Sequence, residues 1–375
     1  MPPGSAGPLL AALDDVLHRR SPALVPVPEG IDRSALAALR IDDTIDNDVA
    51  LVATTSGTTG TPKGALLTAA ALTASAVATH DRLGGPGRWL LALPSYHIAG
   101  IQVLVRSLVA GNTPVELDVS TGFDVSRLPS AVAQLGPGRR YTALVATQLA
   151  KALDDPAATA ALAELDAVLI GGGPAPRPIL DAADAAGIAA VPTYGMSETA
   201  GGCVYDGVPL DGVTLRIDDG RIILGGPTLA NGYRNPPDPD PFAEAGWFRT
   251  DDIGVVDDSG LLTVLGRADD AISTGGLTVL PQPVEAALRT HPTVADCAVF
   301  GLPDERLGQR VVAAVVPADG SAAPTLDTLR AHVARTLGHT AAPRELHIVD
   351  AVPMRGIGKV DRSALIGRAE ARRMT

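Results

Sequence analysis

Between residues 49 and 196, short apolar runs alternate with helix-patterned stretches, and the apolar runs have almost no polar side. "DVALVA", "RWLLALP", "TPVEL", "YTALVA", "LDAVLIGG" and "IAAVPTYG" are the strands of this series. A strand that faces water on one side alternates polar and apolar residues. One written apolar throughout is buried on both faces, which helices packed on a mostly parallel sheet achieve. "SYHIAGIQVLVRSLVAG", "VSRLPSAVAQL", "TQLAKALDD" and "RPILDAADAAG" supply such helices, and the Ala-rich stretch 65–80 reads as another. The expected class is α/β.

The texture changes after about residue 203. "GVTLRIDDGRIILGG" and "IGVVDDSGLLTVLG" are apolar pairs joined by Asp-Gly and Asp-Ser-Gly, the chemistry of hairpin turns, so a β-rich subdomain is expected. Beyond 268 a compact α+β pattern begins, with helices at "PVEAALRTH" and "TLDTLRAHVARTLG". The short charged "GRADD" divides the two textures. The expected domains are 1–266, a hinge at 267–270, and a small domain at 271–375.

Composition removes some functions. The 375 residues carry a net charge of −12, which argues against partners that need a basic surface, nucleic acid and anionic lipid among them. The apolar run "IAGIQVLVRSLVAG" is short and interrupted by Arg106, so no stable membrane insertion is expected. "MPPGSAGPLLAALDDVLHRR" lacks the basic opening of a secretory signal, and a cytoplasmic protein is expected. Cys203 and Cys297 sit in no metal or redox spacing and read as small buried side chains.

"TTSGTTGTPKG", residues 54–64, is rich in Gly and hydroxyl groups and ends on a lysine and a glycine. Backbone N–H groups and hydroxyls of Thr55, Ser56, Gly57, Thr58, Thr59 and Gly60 can surround an anion, with Lys63 adding charge. The alternative is a solvated Gly/Thr turn. A Walker A loop is excluded: Thr61 and Pro62 part Gly60 from Lys63, and Gly64 stands where the metal-binding hydroxyl belongs. Of 30 basic residues only Lys63, Lys151 and Lys359 are lysines, so a lysine here marks a site where a compact ammonium serves better than a planar guanidinium.

The loop resembles the phosphate loop of the adenylate-forming enzymes: acyl-CoA synthetases, adenylation domains and luciferases. "YGMSET" at 194–199, "GWFRTDDIG" at 246–254, "GRADDAISTGG" at 266–276 and "GIGKVDR" at 356–362 resemble that family's further signatures, in its order. The resemblance implies a large domain and a small mobile one, with ATP, Mg and coenzyme A as ligands. It makes Glu198 the Mg ligand, Ser197 a phosphate donor and Tyr194 the adenine platform. Gly171, Gly172 and Gly195 join the nucleotide site. Asp252 would accept from the ribose, with Arg267 as a second contact. Asp251 stands where the family carries glycine, and Ser273 where it often carries lysine. Asp269 would be the hinge residue, and Thr274, Gly275 and Gly276 would meet CoA. Lys359 would reach the reacting carboxylate and α-phosphate during adenylation only, a role for one mobile point charge. Lys151 reads as a solvated helix residue.

The acyl site is approached through "LPSYHIAGIQVLVRSLVAG" and "TYGMSETAGGCVYDGVPLDGV", which resemble the o-succinylbenzoate–CoA ligases of menaquinone biosynthesis, in a short form whose first subdomain is reduced or replaced. That substrate has two carboxylates. One is activated, and Arg106, in an otherwise apolar helix, would meet the other. The alternative for Arg106 is a stem laid along apolar surface with its head in water. His97, Gln148 and Gly201 are assigned to the same pocket, although His97 equally suits a core histidine. Two other readings stay open: another acyl-CoA or carrier-loading adenylation enzyme, and a non-catalytic nucleotide binder. A homodimer is kept as an option for the assembly.

Overall fold

The computed structural model describes residues 6–28, 30–31, 33–55, 63–320, 322–355 and 359–373. The chain divides into two compact units, one formed by residues 1–216, 223–250 and 258–262, the other by 217–222, 251–257 and 263–375.

The first unit begins with α1 (Gly7–Leu17) and α2 (Arg33–Ala38). β1 (Val49–Thr55) and β2 (Lys63–Thr68) pair antiparallel, with Thr55 opposite Lys63 and Ala53 opposite Ala65. The helix expected from residue 65 therefore starts late: α3 is Ala69–Arg82, and the Thr68 hydroxyl accepts from Ala71 N at 3.0 Å as its cap. Residues 65–68 go to the ladder because β1 offers them backbone partners, whereas apolar residues without a period favour neither state.

β3 (Arg88–Leu91), α4 (Ile98–Val109), β4 (Val115–Glu116), α5 (Leu128–Gln134), β5 (Arg140–Val145), α6 (Ala146–Leu153), α7 (Pro156–Ala163), β6 (Ala167–Gly171), α8 (Arg177–Ala185) and β7 (Ala190–Met196) come next. These strands are parallel and lie in the order β4-β3-β5-β6-β7. β8 (Gly201–Tyr205) and β9 (Val208–Pro209) extend the sheet antiparallel beyond β7. Leu90, Leu144, Val168 and Ile170 of the strands pack with Leu128, Leu149 and Leu162 of the helices, all buried. The doubly covered sheet read from the apolar runs is present.

β10 (Thr214–Asp218), β11 (Arg221–Gly225), β12 (Trp247–Val256) and β13 (Leu262–Arg267) span the division between the units. The second unit continues with β14 (Ile272–Thr274), β15 (Leu277–Val279), α9 (Pro281–Arg289), β16 (Val294–Asp304), β17 (Gly308–Pro317), α10 (Leu326–Ala341) and β18 (Glu345–Ile348). Its sheet runs β15-β14-β17-β16, with β18 parallel to β17. Cys297, Val299, Val311 and Val315 point to one face, against Leu288 and Leu329 of the helices. Phe300, Leu302, Val312 and Ala314 take the other, where Leu365 and Ala369 cover them. β19 (Met354–Arg355), β20 (Lys359–Val360) and α11 (Arg362–Arg373) close the unit. No helix among the described residues is long and apolar enough to cross a membrane. Both cysteines are buried thiols, pushed by burial up to about 12.

Candidate active site

Lys63 opens β2, directly after residues 56–62. The assigned Ser56, Gly57, Thr58, Thr59 and Gly60 lie outside the described residues, and Thr55 is the last residue of β1. The segment 231–234 runs beside β2: Asn231 N donates to Leu66 O at 2.8 Å, Leu66 N to Gly232 O at 2.9 Å, and Arg234 N to Gly64 O at 2.7 Å. This backbone pairing carries the Tyr233 ring under Lys63, whose Nζ is 5.3 Å from the ring centroid. The same residue's hydroxyl donates to Glu198 Oε1 at 2.5 Å. One tyrosine thus joins the loop lysine to the motif carboxylate. It sits in none of the quoted signatures. Its only signal in the sequence is an aromatic residue among turn residues in "NGYRN", and its position depends on pairing with a strand far away in the chain.

Glu198 lies in the one-turn 3₁₀ segment Ser197–Thr199 between β7 and β8. Glu198 O accepts from Ala230 N at 2.8 Å. Thr199 pins the turn: its hydroxyl accepts from Met196 N at 2.9 Å and donates to Gly201 O at 2.7 Å. Ala200 then adopts a left-handed conformation, φ 51°, and Ser75 Oγ of α3 donates to its carbonyl at 2.9 Å. A side chain at Gly195 would place its Cβ 2.1 Å from Gly201 O, so the signature's glycine is a close-approach residue. Ser197 and Glu198 are buried and Tyr194 is half-buried. Among the described residues no group of three or more His, Cys, Asp or Glu side chains gathers to cage an ion. A carboxylate oriented by the Tyr233 hydroxyl fits Mg, which keeps water and takes phosphate oxygens for most of its shell. Gly171 closes β6 and Gly172 comes directly after it, φ 81°.

The four residues assigned to the acyl pocket have differing surroundings. His97 precedes α4 and packs its ring 4.6 Å from that of Tyr96. Gly201, φ 96°, faces the Gln102 side chain. Gln148 Oε1 accepts from Val145 N at 2.9 Å and its Nε2 donates to Ala92 O at 2.9 Å, so its amide ties α6 to the strands. Arg106 is 3% exposed, which rules out the solvated head of the alternative reading. Its guanidinium lies 5.0 Å from the Trp89 ring centroid and donates to Tyr205 Oη at 3.2 Å. Among the described residues no carboxylate pairs with it, and its Nε has no partner there. Burial lowers its pKa, with Tyr205 opposing. The neighbouring His80 is brought down to about 4, by burial first and then by Arg106, and its Nε2 accepts from Trp89 Nε1 at 3.3 Å.

In the second unit Arg267 grips Asp269 with two hydrogen bonds of 2.8 Å, and its other contacts are Asp251 at 3.5 Å and Asp252 at 3.6 Å. Burial opposes its charge, but the Asp269 hydrogen bond and the three carboxylates outweigh it and raise its pKa. Asp252 is buried, whereas Asp251 is exposed and bound to Arg221 at 3.0 Å. Thr274 is buried on β14, and Gly275 and Gly276, φ 59° and 78°, form the two-residue turn to β15. Two successive positive φ values are the type I′ hairpin geometry that glycine permits. Lys359 is exposed on β20, opposite Arg355.

Residues 26–234 match the AMP-binding enzyme family and residues 283–359 the AMP-binding enzyme C-terminal domain. A probable 2-succinylbenzoate–CoA ligase of Mycobacterium tuberculosis (strain ATCC 25618 / H37Rv) is 73% identical over 98% of this chain and 97% of its own. A 2-succinylbenzoate–CoA ligase of Geobacillus sp. (strain WCH70) is 33% identical over 85% of this chain and 69% of its own. Among solved structures, an o-succinylbenzoate CoA synthetase from Bacillus subtilis in complex with its acyl-adenylate intermediate aligns with a TM-score of 0.74 and 30% identity, over 84% of this chain and 69% of that one. An amide bond synthetase from Marinactinospora thermotolerans aligns with a TM-score of 0.76 and 29% identity, over 86% of this chain and 70% of that one.

Proposed function

The chain belongs to the AMP-binding enzymes, and from that membership we infer that it is an acid–thiol ligase converting o-succinylbenzoate, ATP and CoA to o-succinylbenzoyl-CoA, AMP and pyrophosphate in menaquinone biosynthesis. Its fold is that of the adenylate-forming enzymes. The observation that carries the reading is the meeting of Lys63, Tyr233 and Glu198, an ammonium and a carboxylate held by one phenol.

Adenylation brings a carboxylate up to a polyanion, so cations and donors must be in place beforehand. Lys63 faces the phosphates with the loop 55–60, and Ser197 donates to them. Glu198 holds Mg, which supplies charge neutralisation at the phosphates. Tyr194, Gly171, Gly172 and Gly195 border the nucleotide. Asp252, the buried one of the two adjacent aspartates, takes the ribose hydroxyls. Arg267 lies beside it, and Asp269 is the pivot of the hinge 267–270 between a large domain, 1–266, and a small one, 271–375. Lys359 serves the first half-reaction, and the turn at Thr274, Gly275 and Gly276 meets CoA in the second.

His97, Arg106 and Gly201 border the acyl site, with Gln148 fixing its wall. Arg106 supports a dianionic substrate. A buried cation with no acidic partner is costly, and an arriving carboxylate offsets that cost. A homodimer is the assembly we propose, with light scattering as the check.

The test is thioester formation from o-succinylbenzoate, ATP and CoA, run beside pyrophosphate release across a panel of acids with and without CoA. Turnover with another acid alone would reassign the substrate, CoA-independent transfer to a carrier protein would make it a carrier-loading enzyme, and no pyrophosphate from any acid would leave a nucleotide binder.

A further inference from the structure

Lys359 stands on a two-residue strand whose hairpin partner is equally short. Such a hairpin does not hold a side chain in place by itself. The hold comes from residues 361 and 362. Asp361 N donates to Pro353 O at 2.8 Å, and Asp361 Oδ1 accepts from Ala364 N at 3.0 Å, starting α11. Arg362, three residues after the lysine, turns its side chain inward and uses every nitrogen of its fork. Nε donates to Val299 O at 3.0 Å, Nη2 to Glu285 Oε1 at 2.6 Å, and Nη1 lies 3.1 Å from Asp270 Oδ2. Glu285 is 3% exposed and its Oε1 also accepts from Val299 N at 2.9 Å. Asp270 Oδ2 accepts in addition from Gln282 Nε2 at 3.3 Å.

Asp270 is the neighbour of Asp269, which Arg267 holds. Two adjacent carboxylates thus face two arginines, one from the start of the hinge segment and one from the lysine's own segment. We propose that Arg362 is a positioning residue: through Asp270 and Glu285 it clamps the Lys359 hairpin to the hinge, so that the lysine travels with the hinge as one rigid piece. The proposal rests on the reading that Lys359 serves adenylation. A planar fork with three different acceptors fixes both direction and distance, which a lysine at 362 would not. Displacement of a catalytic charge by about 1 Å can cost on the order of 10²-fold in rate.

The test is single-turnover kinetics on each half-reaction, with Arg362→Lys, Asp270→Asn and Lys359→Ala beside the parent. Arg362→Lys is expected to slow pyrophosphate release about 10–100-fold. KM for ATP and acid should stay near the parent values, and preformed o-succinylbenzoyl-adenylate plus CoA should give thioester within about twofold of the parent rate. Asp270→Asn, which leaves the Arg362–Glu285 pair, should show the same split at about 3–10-fold, and it decides the matter if Arg362→Lys does not fold. Equal loss in both half-reactions would make Arg362 a mere stabiliser of its unit and overturn the clamp. So would adenylation within about threefold of the parent while Lys359→Ala loses it. Lys359→Ala with intact adenylation would instead remove the reading beneath the proposal.

Discussion

Replacing Tyr233 by Phe removes one oxygen and keeps the ring beneath Lys63. The bond lost is the 2.5 Å donation to Glu198 Oε1, a short hydrogen bond to a carboxylate that is itself buried. Hydrogen bonds to charged groups contribute about 1.5–3 kcal/mol. If that whole amount bears on the transition state of adenylation, kcat/KM falls about 10–150-fold, at roughly 1.4 kcal/mol per tenfold. The loss should show first at low Mg, because the phenol fixes Oε1 and so the direction in which the other oxygen is presented. The assay is pyrophosphate release against Mg concentration. Tyr233→Leu should cost more than Tyr233→Phe, since it also removes the ring from Lys63, a contact worth about 0.5–2 kcal/mol. Pyrophosphate release by Tyr233→Phe within about twofold of the parent at every Mg concentration would remove the Tyr233 hydroxyl from the site.

Arg106→Met should raise KM for o-succinylbenzoate about 10-fold or more, leave KM for ATP unchanged, and keep or raise Tm, because a buried cation with no carboxylate partner among the described residues opposes folding; a lower Tm with normal KM would make the residue purely structural. His80 has a folded pKa of about 4, below its ordinary value, so its neutral form is favoured in the native state. The unfolded chain therefore binds more protons between pH 4 and pH 6.5, and that share of stability is fully present above the unfolded pKa and lost as pH falls toward the folded one. His80→Gln should flatten the acid limb of a denaturation-versus-pH curve by on the order of 2 kcal/mol, after allowance for screening, with Arg106 and Asp81 as the charged neighbours. Asp269→Pro should release Arg267 and stiffen the hinge, lowering thioester formation at least about tenfold while adenylation is retained; stopped-flow on each half-reaction checks it, and equal losses would count against a hinge at this residue.

The legible parts of the fold are those where one local signal decides. β3, β5 and β6 are apolar nearly throughout and too short for helices, and the sheet buries both their faces. The Gly275–Gly276 turn demands positive φ twice. α7 carries its start in "DDP", with Asp155 accepting from Ala157 N and Ala158 N and Pro156 in the first turn, but its composition blends into the flanking alanines. The segment 65–68 reads as helix because Ala and Leu suit either state, and the choice lies with β1. In the site, motif residues are visible through their order. Tyr233 and the partners of Arg362, itself a signature residue, are not, since they lie far off in the chain: Glu198 for one, Asp270 and Glu285 for the other.

The pairing of Thr55 with Lys63 also bears on how such a protein can be remade. Lys63 takes its place from the β1–β2 ladder and from Gly64, whose amide reaches the Asn235 side chain and whose carbonyl accepts from Arg234. The seven positions 56–62 between the paired ends can therefore be exchanged as a cassette without moving the lysine. Lengthening a connection by two residues costs only about 0.2 kcal/mol of closure entropy. A library confined to those positions, read by pyrophosphate release, would test whether they serve ATP independently of the ammonium at 63.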